Sequence, residues 1–360
     1  MSETQKLRII AEAGINHNGD LALAKELVDV ADSAGADFVK FQSFIAKNLV
    51  SANTRQAEYQ AKNNNSNESQ LEMLRKYELS FNEQIELFEY CATKNVAFLT
   101  TPFDSESLGF IHKTLDLSTV KISSGDLTNL PFLAEIATKF NDIILSTGMG
   151  TLADIEDAIS TIVFTKAYGR HPTDYSEISS VWSDNAALPF LDDITLLHCT
   201  TNYPAQVDEI NLLAMNTLGQ SFGTKMGYSD HTAGNHVSIA ATALGARVIE
   251  KHFTLDRSME GPDHRASLEP DELHSLVKQI RDTEKALGSH MKLISPTEKA
   301  NAAVARKRIV ASCDIAEGQI FSAENTRIKR TGEGLRPSAY WGLLGKTAKR
   351  SYNVGQGIIE

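Results

Sequence analysis

One arrangement recurs along the chain and limits what it can fold into: a short apolar run, a polar end, then a stretch with helical periodicity. The runs are "LRIIAEAG" (7–14), "DFVKFQ" (37–42), "AFLTTPF" (97–103), "VKISSGD" (120–126), "IILSTGM" (143–149), "ITLLHCT" (194–200), "KMGYSDH" (225–231) and "RVIEKHF" (247–253). The stretches between them read as helices. In "DLALAKELVDVADSAG", Asp20 is an N-cap, Leu23, Leu27, Val30 and Ala34 share a face, and Gly35 is a stop. In "PDELHSLVKQIRDTEKALG", Pro270 occupies the first turn and Leu273, Val277 and Ile280 are in register. Eight strand–helix repeats predict an α/β fold, a closed TIM (β/α)8 barrel. The rival is an open doubly wound sheet, which the lack of a G-x-G-x-x-G after the first run disfavours.

The polar ends are Glu12; Lys40 with Gln42; Thr100 and Thr101; Lys121 with Ser123 and Ser124; Ser146 and Thr147; His198 and Thr200; Asp230 and His231; Glu250 and His252. A barrel gathers them on the rim at the carboxyl ends of its strands, where active sites of this fold lie. Regular alternation in "VIEKHF" turns Glu250 and His252 inward and Lys251 outward. His231 and His252, on adjacent strands beside a carboxylate, suit a divalent metal with open positions; two satisfied core histidines are the plainer reading. His236 falls in the following helix, and neither Asp263 nor His264 is counted as a metal ligand. Lys40 and Lys121, with hydroxyls of Ser123, Ser124, Ser146 and Thr101, suit an anion such as phosphate. The chemical rival is a Schiff base on one of these lysines.

A net charge of −11 argues against nucleic acid. The charge is uneven: from Ser295 on, eleven Lys/Arg oppose six Asp/Glu, and the rest of the chain carries −16. A basic tail could dock on an acidic body, its own or a partner's. No signal-peptide pattern opens the chain and no apolar run reaches membrane length. Cys91, Cys199 and Cys313 include no C-x-x-C and read as reduced thiols of a cytoplasmic protein. The expected organisation is a barrel over 1–288, a linker over 289–303 and a small β-rich unit over 304–360, in which "DIAEGQIF" and "YNVGQGII" echo one another. The polar stretch Ala61–Ser69 reads as a mobile loop, and residues 165–193 as an insertion that serves as lid, interface or decoration.

The stretches "IIAEAGINHNGD", "GADFVKFQSF", "FLTTPFD", "KISSGD", "LLHCTTNYPA", "GYSDHTAGNH", "VIEKHFTLDRSMEGPDHRASLEPDEL" and "IKRTGEG" resemble the sialic acid synthase family, in order and over nearly the whole chain. "AEAGINHNGD" and "GPDHRASLEP" look most like its legionaminic acid branch. The resemblance implies a TIM barrel followed by an antifreeze-like (SAF) domain, in a domain-swapped homodimer. It implies condensation of phosphoenolpyruvate with an N-acylated hexosamine, either 2,4-diacetamido-2,4,6-trideoxymannose or N-acetylmannosamine. It implies a metal on His231 and His252, most often manganese, with magnesium and cobalt as substitutes. Phosphoenolpyruvate is implied at Lys40, Lys121, Ser124, Ser146 and Thr101. The sugar is implied near Glu12, Gln42, Phe103, Thr201, Tyr203, Glu250 and Asp263, with Arg330 reaching it from the partner's tail. Glu250, Asp126 and Glu12 are the catalytic candidates. The chain departs from the family's usual residues at Asp126 (commonly Glu), Asn202 (often Glu in the legionaminic branch) and Thr331 (commonly Pro). The rival functions are a class I aldolase and a non-catalytic carbohydrate-binding protein.

Overall fold

The computed structural model describes residues 6–56 and 68–359. Residues 61–67, most of the stretch expected to be mobile, lie outside the described residues. The chain divides into two compact units, residues 1–288 and 289–360.

In the first unit the eight apolar runs are eight strands: β1 (Arg8–Gly14), β2 (Phe38–Ser43), β3 (Ala97–Pro102), β4 (Thr119–Ile122), β5 (Asp142–Ser146), β6 (Ile194–His198), β7 (Lys225–Asp230) and β8 (Val248–His252). They bond in the order β3-β2-β1-β8-β7-β6-β5-β4, and every ladder is parallel. β3 and β4, at the ends of this order, lie side by side and bring the sheet round to a barrel. Helices follow the strands. Helix Leu21–Ala34 starts on the Asp20 cap and stops at left-handed Gly35, as its sequence predicts.

Alternation sorts side chains between two cores. Outward residues pack under the helices in the main core. Inward residues at the lower end, Ile10, Leu99, Ile144, Leu197 and Val248, form a separate dry layer inside the barrel. Gly227 is the inward residue of β7 there. A Cβ on it would lie 2.5 Å from the Val248 carbonyl oxygen, so only glycine fits. The next inward layer is polar.

The insertion before β6 is ordered as a short helix (Tyr175–Ser180) and 3-10 turns at Val181–Ser183 and Leu188–Asp193. It packs on the long helix Leu152–Tyr168: Trp182 Nε1 donates to Ser160 Oγ at 2.8 Å, and Lys166 pairs with Asp193 at 2.9 Å.

The second unit has its own small core, including Ile309, Ile315, Phe321, Tyr352 and Ile358. β9 (Lys307–Ala311) and β10 (Thr326–Arg330) pair antiparallel. The two echoing segments meet at a bridge between Ile315 and Tyr352, and each turns on a left-handed glycine, Gly318 and Gly355. The second half of the expected linker is helical, Pro296–Ala305, and the helix runs two residues past the linker's expected end. Ser295 caps it, in a capping box with Glu298. Cys91, Cys199 and Cys313 are free thiols. Among the described residues, no helix is long and apolar enough to cross a membrane.

Candidate active site

A cleft of about 470 Å³ opens at the carboxyl ends of the strands, above the dry layer. Its base is a charge cluster. Lys40 Nζ lies 2.5 Å from Glu12 Oε2 and 3.5 Å from Glu250 Oε2. Lys121 Nζ lies 3.4 Å from Glu250 Oε1. Lys40 also donates to Thr101 Oγ1 at 3.1 Å. Neighbouring strands supply these groups because they are partners in register: Glu12 with Lys40, and Ser229 with Glu250.

All four charged side chains are buried, so their environment decides their protonation. Burial is the largest influence on Glu12 and carries its carboxyl up to about 7 against the pull of Lys40. Burial pushes Glu250 the same way, but the ammoniums of Lys121 and Lys40 and the Ser229 hydroxyl prevail and hold it at about 2. Burial works to lower Lys40, yet Glu12 and Glu250 outweigh it and raise the ammonium above its ordinary value. Lys121 is lowered, chiefly by burial. The site therefore holds one carboxyl near neutrality beside one that stays ionised.

His231 and His252 stand together on the adjoining wall, ring centroids 5.5 Å apart, with Tyr203 4.2 Å from the former and 5.7 Å from the latter. His231 Nδ1 donates to the Thr200 carbonyl at 2.6 Å, which leaves its Nε2 as the acceptor nitrogen. Burial lowers His231 to about 4 and His252 well below the usual imidazole range. Both rings are neutral at physiological pH, the form that binds metal. His252 Nδ1 is buried without a hydrogen-bond partner. Among the described residues no third His, Cys, Asp or Glu completes a metal-binding group. The donor set fits a divalent ion held by two imidazoles, with water and substrate oxygens filling the other positions.

The opposite wall carries hydroxyls. Ser124 Oγ accepts from the Gly148 N–H at 2.9 Å and lies 3.3 Å from Cys199 Sγ; Ser123 and Ser146 line the same wall. Gln42, Phe103, Thr201 and Tyr203 line the mouth.

Two expected site residues of the first unit are not among those lining the cleft. Asp126 sits in a 3-10 turn, and its carboxylate accepts from Asn129 Nδ2 at 3.0 Å. Asp263 is buried in the segment after β8, where burial raises it to about 6. Arg330, expected to act on a partner's barrel, lies on β10 of the second unit. Five of the named polar strand ends do not line the cleft either: Thr147 donates its hydroxyl to the Leu197 carbonyl at 3.0 Å, the Thr200 carbonyl accepts from His231, and the other three bond elsewhere. Thr100 bonds Ser43 at 2.8 Å, His198 bonds the Ile210 carbonyl at 2.7 Å, and Asp230 faces the helix layer. Lys251 points outward as its parity predicts and pairs there with Asp230.

Ser229 was not singled out from the sequence. Its hydroxyl donates to Glu250 Oε1 at 2.8 Å and lies 3.4 Å from His231 Nε2. The signal was available: Ser229 is two residues before His231 and so shares its face of β7. Gln70 and Met149 also line the cleft and carried no comparable signal. Among the described residues, none of the 165–193 insertion lines it.

The sequence pattern of the NeuB family matches residues 27–292. The chain belongs to the NeuB family. It is 47% identical over 356 residues to the N,N'-diacetyllegionaminic acid synthase of Campylobacter jejuni subsp. jejuni serotype O:2, covering 99% of this chain and all of that one. It is 41% identical to the enzyme of the same name from Legionella pneumophila, covering 98% of this chain and 93% of that one. A solved N-acetylneuraminic acid (sialic acid) synthetase from Leptospira borgpetersenii superimposes with a TM-score of 0.66 at 30% identity, over 83% of this chain and 90% of that one. This NeuB chain is thus an enzyme of the sialic and legionaminic acid synthase type. The reading as a non-catalytic sugar-binding protein falls.

Proposed function

We propose that this enzyme condenses phosphoenolpyruvate with 2,4-diacetamido-2,4,6-trideoxymannose to give a legionaminic-type nonulosonic acid and phosphate. N-Acetylmannosamine is the alternative acceptor. The observation that carries the reaction class is the pairing of two buried ammoniums with two carboxyls of opposite protonation habit beneath a neutral imidazole pair. The similarity to two legionaminic acid synthases supports the choice of sugar.

Lys40, Lys121 and the hydroxyls of Thr101, Ser124 and Ser146 bind and orient the phosphate and carboxylate of phosphoenolpyruvate. The open-chain sugar lies toward Gln42, Phe103 and Tyr203, with its C1 aldehyde facing C3 of phosphoenolpyruvate. His231 and His252 would hold a divalent ion such as manganese, which when bound would supply Lewis acidity at the C1 carbonyl oxygen. C3 forms the new bond to C1, and Glu12 delivers a proton to the oxygen that becomes the hydroxyl. Water adds at C2 as Glu250 takes its proton. The C2–O bond to phosphate then breaks, phosphate leaves with the electron pair and takes up the C2 hydroxyl proton, and C2 becomes a carbonyl. Ser229 keeps Glu250 aimed at C2.

The small unit is proposed as the antifreeze-like domain of a swapped homodimer, with Arg330 of one copy reaching the sugar held by the other. The exposed side chains of β10 are consistent with that role.

One observation favours a Schiff-base aldolase as second reading: burial lowers Lys121, as a nucleophilic amine requires. A single assay separates the two. Phosphate release is measured after EDTA treatment and manganese return, with each sugar offered alone. Metal-dependent release with the diacetamido sugar is the expected result. Release with N-acetylmannosamine alone reassigns the substrate. Full activity in EDTA, with borohydride trapping an adduct, replaces the mechanism.

A further inference from the structure

A buried ion pair lies directly behind the imidazole pair, and no step above uses it. Asp230 precedes His231 on β7, and Lys251 precedes His252 on β8. They are partners in register across the two strands, so parity that turns the histidines inward turns this pair outward together. Lys251 Nζ lies 3.0 Å from Asp230 Oδ2, and each residue is 1% exposed.

Most hydrogen bonds of the pair are directed at Thr232, the residue after His231. Asp230 Oδ1 accepts from the Thr232 N–H at 2.8 Å and from Thr232 Oγ1 at 2.7 Å. Asp230 Oδ2 accepts from Ser238 Oγ at 2.6 Å. Lys251 Nζ donates to the Thr232 carbonyl at 2.5 Å. Thr232, the residue after His231, is thus held at its N–H, its hydroxyl and its carbonyl. On the other side, the Ala205 N–H donates to the His231 carbonyl at 2.8 Å.

Stability alone does not account for such an arrangement. A buried ion pair replaced by apolar groups of similar size is often neutral or stabilising, because the desolvation of both charges is removed. Its directional hydrogen bonds have a use that apolar packing lacks: they fix where a neighbouring backbone sits. We propose that Asp230 and Lys251 are positioning residues, a clamp that sets the separation and aim of the His231 and His252 rings so that both present a nitrogen to one ion. This rests on the metal reading above.

The test uses the full chain and manganese itself. In Asp230→Leu/Lys251→Met, both charges go together. Manganese affinity is measured from the free-ion EPR signal, alongside the melting temperature in EDTA. The expected result is a melting temperature near the parent's with manganese binding weaker by about tenfold to a hundredfold, the range for lost support of a metal ligand. Ser238→Ala, which removes one bond to Asp230 and keeps the charges, is the second variant, chosen in case the first does not fold. It is expected to weaken manganese binding about threefold to tenfold at unchanged fold. A folded variant that binds manganese within about twofold of the parent overturns the clamp. A parent that binds no manganese overturns the metal reading itself, and with it the purpose given to the pair.

Discussion

His17 offers a sharp test of how burial governs this structure. It lies in the loop after β1, 1% exposed, and its Nδ1 accepts from the Gly19 N–H at 3.0 Å. A proton added at Nδ1 would face that N–H. Burial lowers the imidazole from 6.5 to about 4, despite Glu83 and Asp20. In the unfolded chain it titrates near 6.5. Above pH 6.5 both states are neutral and pH has no effect. Below it the unfolded chain takes up a proton that the folded one refuses, so stability falls from pH 6.5 down to about 4. The gap is worth about 3 kcal/mol when complete and about 2 kcal/mol at pH 5. His17→Gln keeps an acceptor and cannot titrate. Calorimetry at pH 7.5 and pH 5.0, in EDTA, compares the two proteins. Other buried histidines contribute equally to both, so only the difference matters. The parent's loss of melting temperature on acidification should exceed the variant's by about 4 °C, at about 2 °C per kcal/mol for a unit this large. Equal losses would refute the claim that His17 is buried in its neutral form.

The other predictions concern the cleft. Lys121→Met should raise the KM for phosphoenolpyruvate about tenfold to a hundredfold, the weight of one charge-assisted hydrogen bond, and an unchanged KM in steady-state kinetics would remove Lys121 from the anion site. Glu250→Gln should lower kcat about 10²- to 10⁴-fold with the fold intact by circular dichroism, since the acceptor of the water proton is lost. Asp126→Asn should leave kcat/KM within about threefold of the parent, because its carboxylate is bonded to Asn129 and is not among the groups lining the cleft. A hundredfold loss would return Asp126 to the chemistry.

The parts of the site that rest on strand parity were legible in the sequence. Once "VIEKHF" is a strand, Glu250 and His252 must share a face and Lys251 must leave it, and the structure has them so. The same rule exposes where the reading by strand ends went too far. Thr100 and Asp230 are polar and terminal, yet their parity is outward, and they bond the layer behind. Ser229 has the right parity but looks like any small strand residue; its worth comes from Glu250 on the next strand. Asp126 lies beyond the last residue of β4, in a turn where period two no longer applies. The short helix and turns inside the insertion before β6, and the helix at Pro296–Ala305, were not legible for a different reason. They are short, and their stability comes from packing or from a capping box rather than from a long periodic face.

The dry layer under the cleft has a kinetic meaning. Ile10, Leu99, Ile144, Leu197 and Val248 close the barrel below the charged groups, so among the described residues the cleft faces the carboxyl ends of the strands. Lys40 and Lys121 lie at its inner end, and half-buried Phe103 and Tyr203 stand at its mouth. An anion on the buried lysines is expected to arrive before the occupant of the outer part of the cleft and to depart after it. Sequence of arrival is then a property of architecture: a dead-end analogue of the sugar should trap the anion behind it, and turnover waits on the outer guest leaving first.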